Sequence, residues 1–217
     1  MMENLTVKNL RIAAAAFAAD FSSRRVKEVV GITDGKAVGT FVEAAFKGYL
    51  RQFYFADNWG NAASGVDLPT INTDIKSTSI RQPQSSLPFK SARQKLYGLG
   101  YNLLVFVYEK DDDQDRNLVF RSVDFVDAEH TGDYRLSKYV INALAEGSYE
   151  DEIFAIFEDM KLPGDEIVYN QLVEEVMQHA PEQGYLTISN ALQWRAKYRR
   201  VIDVAGTVEG VEKIYGE

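Results

Sequence analysis

The run Leu103-Leu-Val-Phe-Val-Tyr108 constrains the fold more than any other part of this 217-residue chain. It is apolar without a break and rich in β-branched and aromatic side chains. That pattern suits a strand buried on both faces, which requires helices above and below a sheet. The surrounding pattern supplies them. Residues 6–30 read as one or two helices, broken near Ser22-Ser23 and ended by Gly31. Residues 38–53 read as a helix in which Val42, Ala45, Phe46, Tyr49, Leu50 and Phe53 recur at helical spacing and form one apolar stripe. Short strands are expected at 66–68 and 72–78, then a polar loop over 82–91 that carries Pro83 and Pro88, then a helix over 91–99. A strand at 118–126 returns after the acidic turn 111–117. From residue 136 on the expectation is helical, over 136–146, 149–160, 165–179 and 188–203. The fold class is α/β with a helical C-terminal part. Residues 1–130 form the core and 131–217 a helical part packed on it.

The chain has no cysteine, which rules out disulfides, thiol nucleophiles and cysteine zinc sites and fits a reducing compartment. Its two histidines, His130 and His179, are too few for a histidine-rich metal site. No apolar run approaches the length of a membrane span, so no membrane partner is expected. The alanine-rich segment 12–19 follows Lys8 and Arg11 and faintly resembles a signal sequence. Glu3 and the flanking Asp20, Arg24 and Arg25 favour an ordinary helix and a cytoplasmic protein. There is no G-x-x-x-x-G-K-[ST] loop, Gly98-Leu-Gly100 is too short for a dinucleotide fingerprint, and no G-x-S-x-G elbow occurs. No nucleotide cofactor is therefore expected.

A formal net charge of −8, from 24 basic and 32 acidic residues, argues at first against a nucleic-acid partner. The distribution argues otherwise. Residues 75–108 contain no acid and carry Lys76, Arg81, Lys90, Arg93 and Lys95; residues 183–202 contain none and carry Arg195, Lys197, Arg199 and Arg200. Such segregation can build a basic cleft on an acidic body. Either stretch alone also reads as a solvated face.

The chemistry is concentrated in Gly65-Val-Asp-Leu-Pro-Thr-Ile-Asn-Thr-Asp-Ile-Lys76. On a strand Asp74 and Lys76 point to one side and Ile75 to the other, into the core. A turn after Asp67 would bring its carboxylate beside Asp74. Neighbouring carboxylates repel and raise each other's pKa. A divalent cation resolves that conflict, and all-oxygen ligands suit Mg²⁺. Asp67 and Asp74 would ligate it, with the Ile75 carbonyl as a further ligand. Lys76 would hold or help deprotonate a water and stabilise charge on phosphorus. Glu43, at the edge of the apolar stripe and four residues after Gly39, can reach the same edge and bind a second cation or orient a metal-bound water. An Asp/Lys pair on a surface strand is common, so the motif alone leaves that bland reading open.

The order Gly39-Thr-Phe-Val-Glu43, Gly-Val-Asp67, Asp74-Ile-Lys76, helix, buried strand resembles the PD-(D/E)XK nuclease superfamily, and in length its compact type II restriction endonucleases. The resemblance covers residues 36–126. The motif is degenerate, so its weight lies in order and context; Val66, not proline, precedes the first aspartate. The resemblance implies a restriction-endonuclease-like core with a mixed central sheet flanked by helices. It also implies Asp67 and Asp74 as metal ligands, Lys76 as the catalytic lysine and Glu43 as the helix acid.

Residues 76–95 follow the catalytic strand and would lie beside the scissile phosphate. Gln82, Gln84 and Gln94 suit adenine, Arg81 or Arg93 guanine, and Ser77, Thr78 and Ser79 phosphates, with Lys90 and Lys95 adding charge. Helices 165–179 and 188–203 could form a helix-turn-helix-like unit with Arg195, Lys197, Arg199 and Arg200 on DNA. The expected activity is Mg²⁺-dependent, sequence-specific cleavage of double-stranded DNA. The rivals are a repair nuclease of the same superfamily and a non-catalytic DNA-binding regulator. A homodimer is expected, because one such centre cuts one strand and a two-fold dimer matches a palindrome. The alanine-rich helix is a candidate interface.

Overall fold

The computed structural model describes residues 2–60, 65–87, 91–189 and 194–216. In chain order its elements are β1 (Glu3–Asn4), α1 (Val7–Ser23), α2 (Gly35–Phe53), β2 (Tyr54–Phe55), β3 (Thr73–Ser79), β4 (Gln84–Ser86), α3 (Ala92–Tyr97), β5 (Asn102–Lys110), β6 (Leu118–Val126), α4 (Tyr134–Ala145), α5 (Glu150–Asp159), α6 (Glu166–Gln178), β7 (Thr187–Ile188), β8 (Arg195–Lys197), α7 (Arg199–Val204) and β9 (Val211–Gly216). Among the described residues no helix is long and apolar enough to cross a membrane.

The central sheet has the order β3-β5-β6-β9 and is mixed: β3 runs parallel to β5, and β5-β6 and β6-β9 are antiparallel. Residues 103–107 are wholly buried, as their continuous apolar run requires. Their alternation divides the core. Leu104 and Phe106 face α1 and α2, where Phe17, Phe46, Phe106 and Phe120 form an aromatic cluster. Leu103, Val105 and Val107 face Tyr198, Val201 and Val211. Truncating Phe106 to alanine would cost about 3–5 kcal/mol. A third cluster holds α3 to α4, α5 and α6 through Leu96, Leu136, Phe157 and Leu172.

The alanine-rich helix α1 turns Ala13, Ala14 and Ala18 into the chain's own core and leaves Ile12, Ala16 and Ala19 exposed on its outer side. Two expectations change. Residues 66–68 are not a strand. Pro69–Ile71 forms a 3₁₀ turn, with Pro69 at its first position and Asn72 closing it at φ 46°. Lastly, the long helices of the C-terminal part end with α6. The long helix expected at 188–203 does not exist: β8 pairs with β4 and β7 in a three-stranded sheet, and α7 is a short helix of six residues. The helix-turn-helix-like unit therefore does not form. The chain's end returns as β9 to the edge of the central sheet.

Candidate active site

Strand β3 is an edge of the central sheet, and its register places the chemistry. Asp74, Lys76 and Thr78 stand opposite Leu103, Val105 and Val107 and share their face; Ile75 and Ser77 stand opposite Leu104 and Phe106. Asp74 and Lys76 thus lie side by side as expected, with Ile75 in the core. Their charged groups meet at 2.5 Å between Lys76 Nζ and Asp74 Oδ2.

Asp67 reaches this pair by a loop, not by a strand. Leu68 and Thr73 exchange backbone hydrogen bonds of 2.9 and 3.1 Å across the 3₁₀ turn, which folds residue 67 back onto β3. The Ile75 N–H then donates to Asp67 Oδ2 at 3.0 Å. Gly60, at φ +64°, runs so close that a Cβ there would lie 2.5 Å from the Asp67 carbonyl oxygen. Helix α2 also makes a close approach, since a Cβ on Gly39 would lie 3.2 Å from the Ser77 carbonyl oxygen. One turn further along, Glu43 reaches the same edge.

Lys47, one further turn along α2, is the residue that sequence reasoning missed. Its ammonium bonds the Asp67 carboxylate. The only sequence signal was its i+4 spacing from Glu43, which many surface lysines share.

The electrostatics show a conflict of charge. Burial, reinforced by Asp67 and Asp74 against the pull of Lys76, pushes the Glu43 carboxyl up to about 7. Burial likewise raises Asp74 to about 6, although Lys76 opposes it. Burial alone would raise Asp67 too; the Lys47 ammonium, a hydrogen bond shared with Asp74 and the Ile75 N–H outweigh it and hold Asp67 below its ordinary value. Lys76 loses solvation on burial, yet the Asp74 carboxylate overrides this and keeps it firmly protonated. Three carboxylates thus sit against two ammonium groups, and two of the three resist ionising. An all-oxygen donor set short of positive charge fits a hard divalent cation. Among the described residues no three acidic or histidine side chains already converge as a ligand shell. Asp67 and Asp74 instead face Lys47 and Lys76.

A cleft of about 830 Å³ opens beside this cluster and meets it at Glu43 and Lys76. Its lining includes Lys36, Thr40 and Glu43 from α2, Lys76, Ser77 and Ser79 from β3, and Gln82, Gln84, Ser86 and Arg195 beyond. Ser77 Oγ is buried there without a hydrogen-bond partner among the described residues.

The family model for the type II restriction enzyme NspV matches residues 4–213. The chain belongs to this family. A type II restriction enzyme NspV from Nostoc sp. is 46% identical over 218 positions, which cover 99% of this chain and 98% of the relative. No solved structure matches the chain. Membership in the NspV family makes the protein a sequence-specific DNA endonuclease, and divalent-metal dependence is general among type II restriction enzymes.

For an NspV-family chain the placement of the basic residues matters next. Arg81 is exposed at the turn after β3, and Gln82 lines the cleft. Lys90 lies outside the described residues. Arg93 turns away from the cleft and forks onto the Glu175 carboxylate of α6, at 2.6–3.0 Å. Lys95, only 2% exposed, is buried near the Trp194 ring, so its expected place on an outer DNA-facing surface is corrected. Arg195 and Lys197 are exposed on β8, and Arg195 reaches the cleft. Arg199 donates to the Ile80 carbonyl at 3.1 Å, and Arg200 stacks over Tyr134 at 3.6 Å. The Thr78 hydroxyl is committed to the Gln84 backbone and is not available to a phosphate.

Proposed function

We propose that this chain hydrolyses phosphodiester bonds of double-stranded DNA with Mg²⁺, as a homodimeric cytoplasmic enzyme of PD-(D/E)XK type. The observation that carries the reading is the charge-frustrated cluster Glu43, Asp67, Asp74 and Lys76 at the sheet edge, reached at Glu43 and Lys76 by a cleft whose lining includes hydroxyl, amide and basic groups. Asp67, Asp74 and Glu43, with the Ile75 carbonyl, would hold the cation. A bound Mg²⁺ supplies Lewis-acid polarisation of the phosphate and a more acidic water.

The protein's own groups divide the remaining work. Lys76 stays protonated beside Asp74, so it donates to a phosphate oxygen and balances the charge that develops there. Glu43, which lines the cleft beside Lys76, would orient the attacking water at the cation it helps to hold. Displacement in line with the leaving oxygen would leave 5′-phosphates. Residues 1–130 would supply the catalytic centre and 131–217 part of the surface that reads DNA. The test is incubation of mixed-sequence duplex DNA with Mg²⁺ or with EDTA. Discrete 5′-phosphorylated fragments only with Mg²⁺ support the reading; intact DNA in Mg²⁺, or equal cutting in EDTA, opposes it.

A further inference from the structure

The small sheet that replaced the expected helix is itself a candidate reader of sequence. In the antiparallel pair of β4 and β8, Gln84 stands opposite Lys197, Ser85 opposite Ala196 and Ser86 opposite Arg195. Thr187 of β7 extends the first row, opposite Lys197. Alternation gives the sheet two unlike faces. The inner face is buried: Ala196 and Ile188 join the core, and the Ser85 hydroxyl bonds the Tyr198 hydroxyl at 2.5 Å. The outer face presents Gln84, Ser86, Arg195, Lys197 and Thr187, without an acid. Each of these side chains carries a hydrogen-bond donor.

This face is continuous with the catalytic cleft, because Gln84, Ser86 and Arg195 line the same cavity as Glu43 and Lys76. It is also tied to the catalytic strand. The Gln84 N–H donates to Thr78 Oγ1 at 2.9 Å, two residues from Lys76 on β3, and the Tyr198 N–H donates to the Pro83 carbonyl at 2.8 Å. Arg199 clamps the Ile80 carbonyl. A displacement of the outer face would therefore move β3.

We propose that the outward face of β4 and β8 reads base edges, with Gln84, Ser86, Arg195 and Lys197 as the specificity-determining residues. The inference rests on the endonuclease reading above. Two strands lie about 4.8 Å apart, so their outward side chains fit within a major groove about 12 Å wide. Gln84 and Ser86 are two residues apart, about 7 Å along the strand. That is about two base-pair steps at 3.4 Å each. Glutamine suits adenine and arginine suits guanine.

The experiment cleaves a pool of randomised duplexes with Mg²⁺ and sequences the cut ends, for the wild type, Gln84→Ala and Lys197→Ala. Both substitutions are on the outer face of the sheet, on different strands, and circular dichroism verifies the fold. The expected result is one preferred sequence for the wild type. For at least one variant, discrimination at one or two positions should fall by about ten- to a hundredfold. Wild-type discrimination in both variants overturns the proposal while the endonuclease reading stands. So does equal weakening on all sequences with a lower salt slope, which marks a phosphate contact. A wild type that cuts no duplex overturns the endonuclease reading instead.

Discussion

Replacing Glu43 with glutamine should stabilise the metal-free protein above neutral pH while impairing cleavage. The Glu43 carboxyl titrates near 7 in the fold, against an ordinary 4.5, chiefly because burial penalises its charged form. A group with a raised folded pKa holds its proton longer in the folded than in the unfolded chain. Its contribution to stability is therefore intact below the unfolded value and is lost as pH rises towards the folded one. At about 1.4 kcal/mol per pH unit, keeping it ionised in the fold costs on the order of 3 kcal/mol. Solvent at the partly open carboxylate trims this to about 2–3 kcal/mol. Glutamine has no proton to lose, so the variant should gain under about 1 kcal/mol at pH 5 and about 2–3 kcal/mol at pH 8. For a chain of this size that corresponds to a Tm rise of about 5–10 °C at pH 8. The assay is thermal unfolding in EDTA at the two pH values, beside cleavage in Mg²⁺. An unchanged or lower Tm at pH 8 would show that the site does not store this conflict, and the argument for a cation would lose its electrostatic basis.

The same site makes three further predictions. Lys47→Met removes the ammonium that bonds Asp67, so the metal-free Tm should fall and added Ca²⁺ should raise it by more degrees than in the wild type; an equal or smaller rise would mean that Lys47 does not compete with a cation. Protons and cation compete for Asp74, near 6, and Glu43, near 7, so the Mg²⁺ concentration for half-maximal cleavage should fall from pH 5.5 to pH 8. A requirement that is flat with pH would contradict the assignment. Sedimentation with a cognate duplex and Ca²⁺ should give two chains per duplex, and a strict monomer on DNA would remove the dimer.

What the sequence revealed follows from which forces are local. Residues 103–108 and 118–126 were legible as strands because their burial is written into every side chain. The α2 stripe and the shared face of Asp74 and Lys76 are consequences of period alone. Asp67 was paired correctly with Asp74, but its loop was missed because Pro69 and the left-handed Asn72 make a turn where short-strand propensity was read. Residues 195–197 look helical locally; their strand is decided by pairing with β4 and by Tyr198, fully buried in the core beneath. Strand β9, Val-Glu-Lys-Ile-Tyr-Gly, has too little apolar alternation to announce itself and depends on the free edge of β6. Lys47 is visible only once the fold has carried Asp67 to it.

The central claim is that Glu43, Asp67, Asp74 and Lys76 form one metal-dependent hydrolytic centre. Its most direct test is single-turnover cleavage of a cognate duplex by Asp74→Asn in Mg²⁺, with duplex binding measured in parallel in Ca²⁺. The account predicts that binding stays within a few-fold of wild type while cleavage becomes undetectable, since several kcal/mol of transition-state stabilisation are withdrawn. Cleavage by Asp74→Asn at the wild-type rate would contradict it.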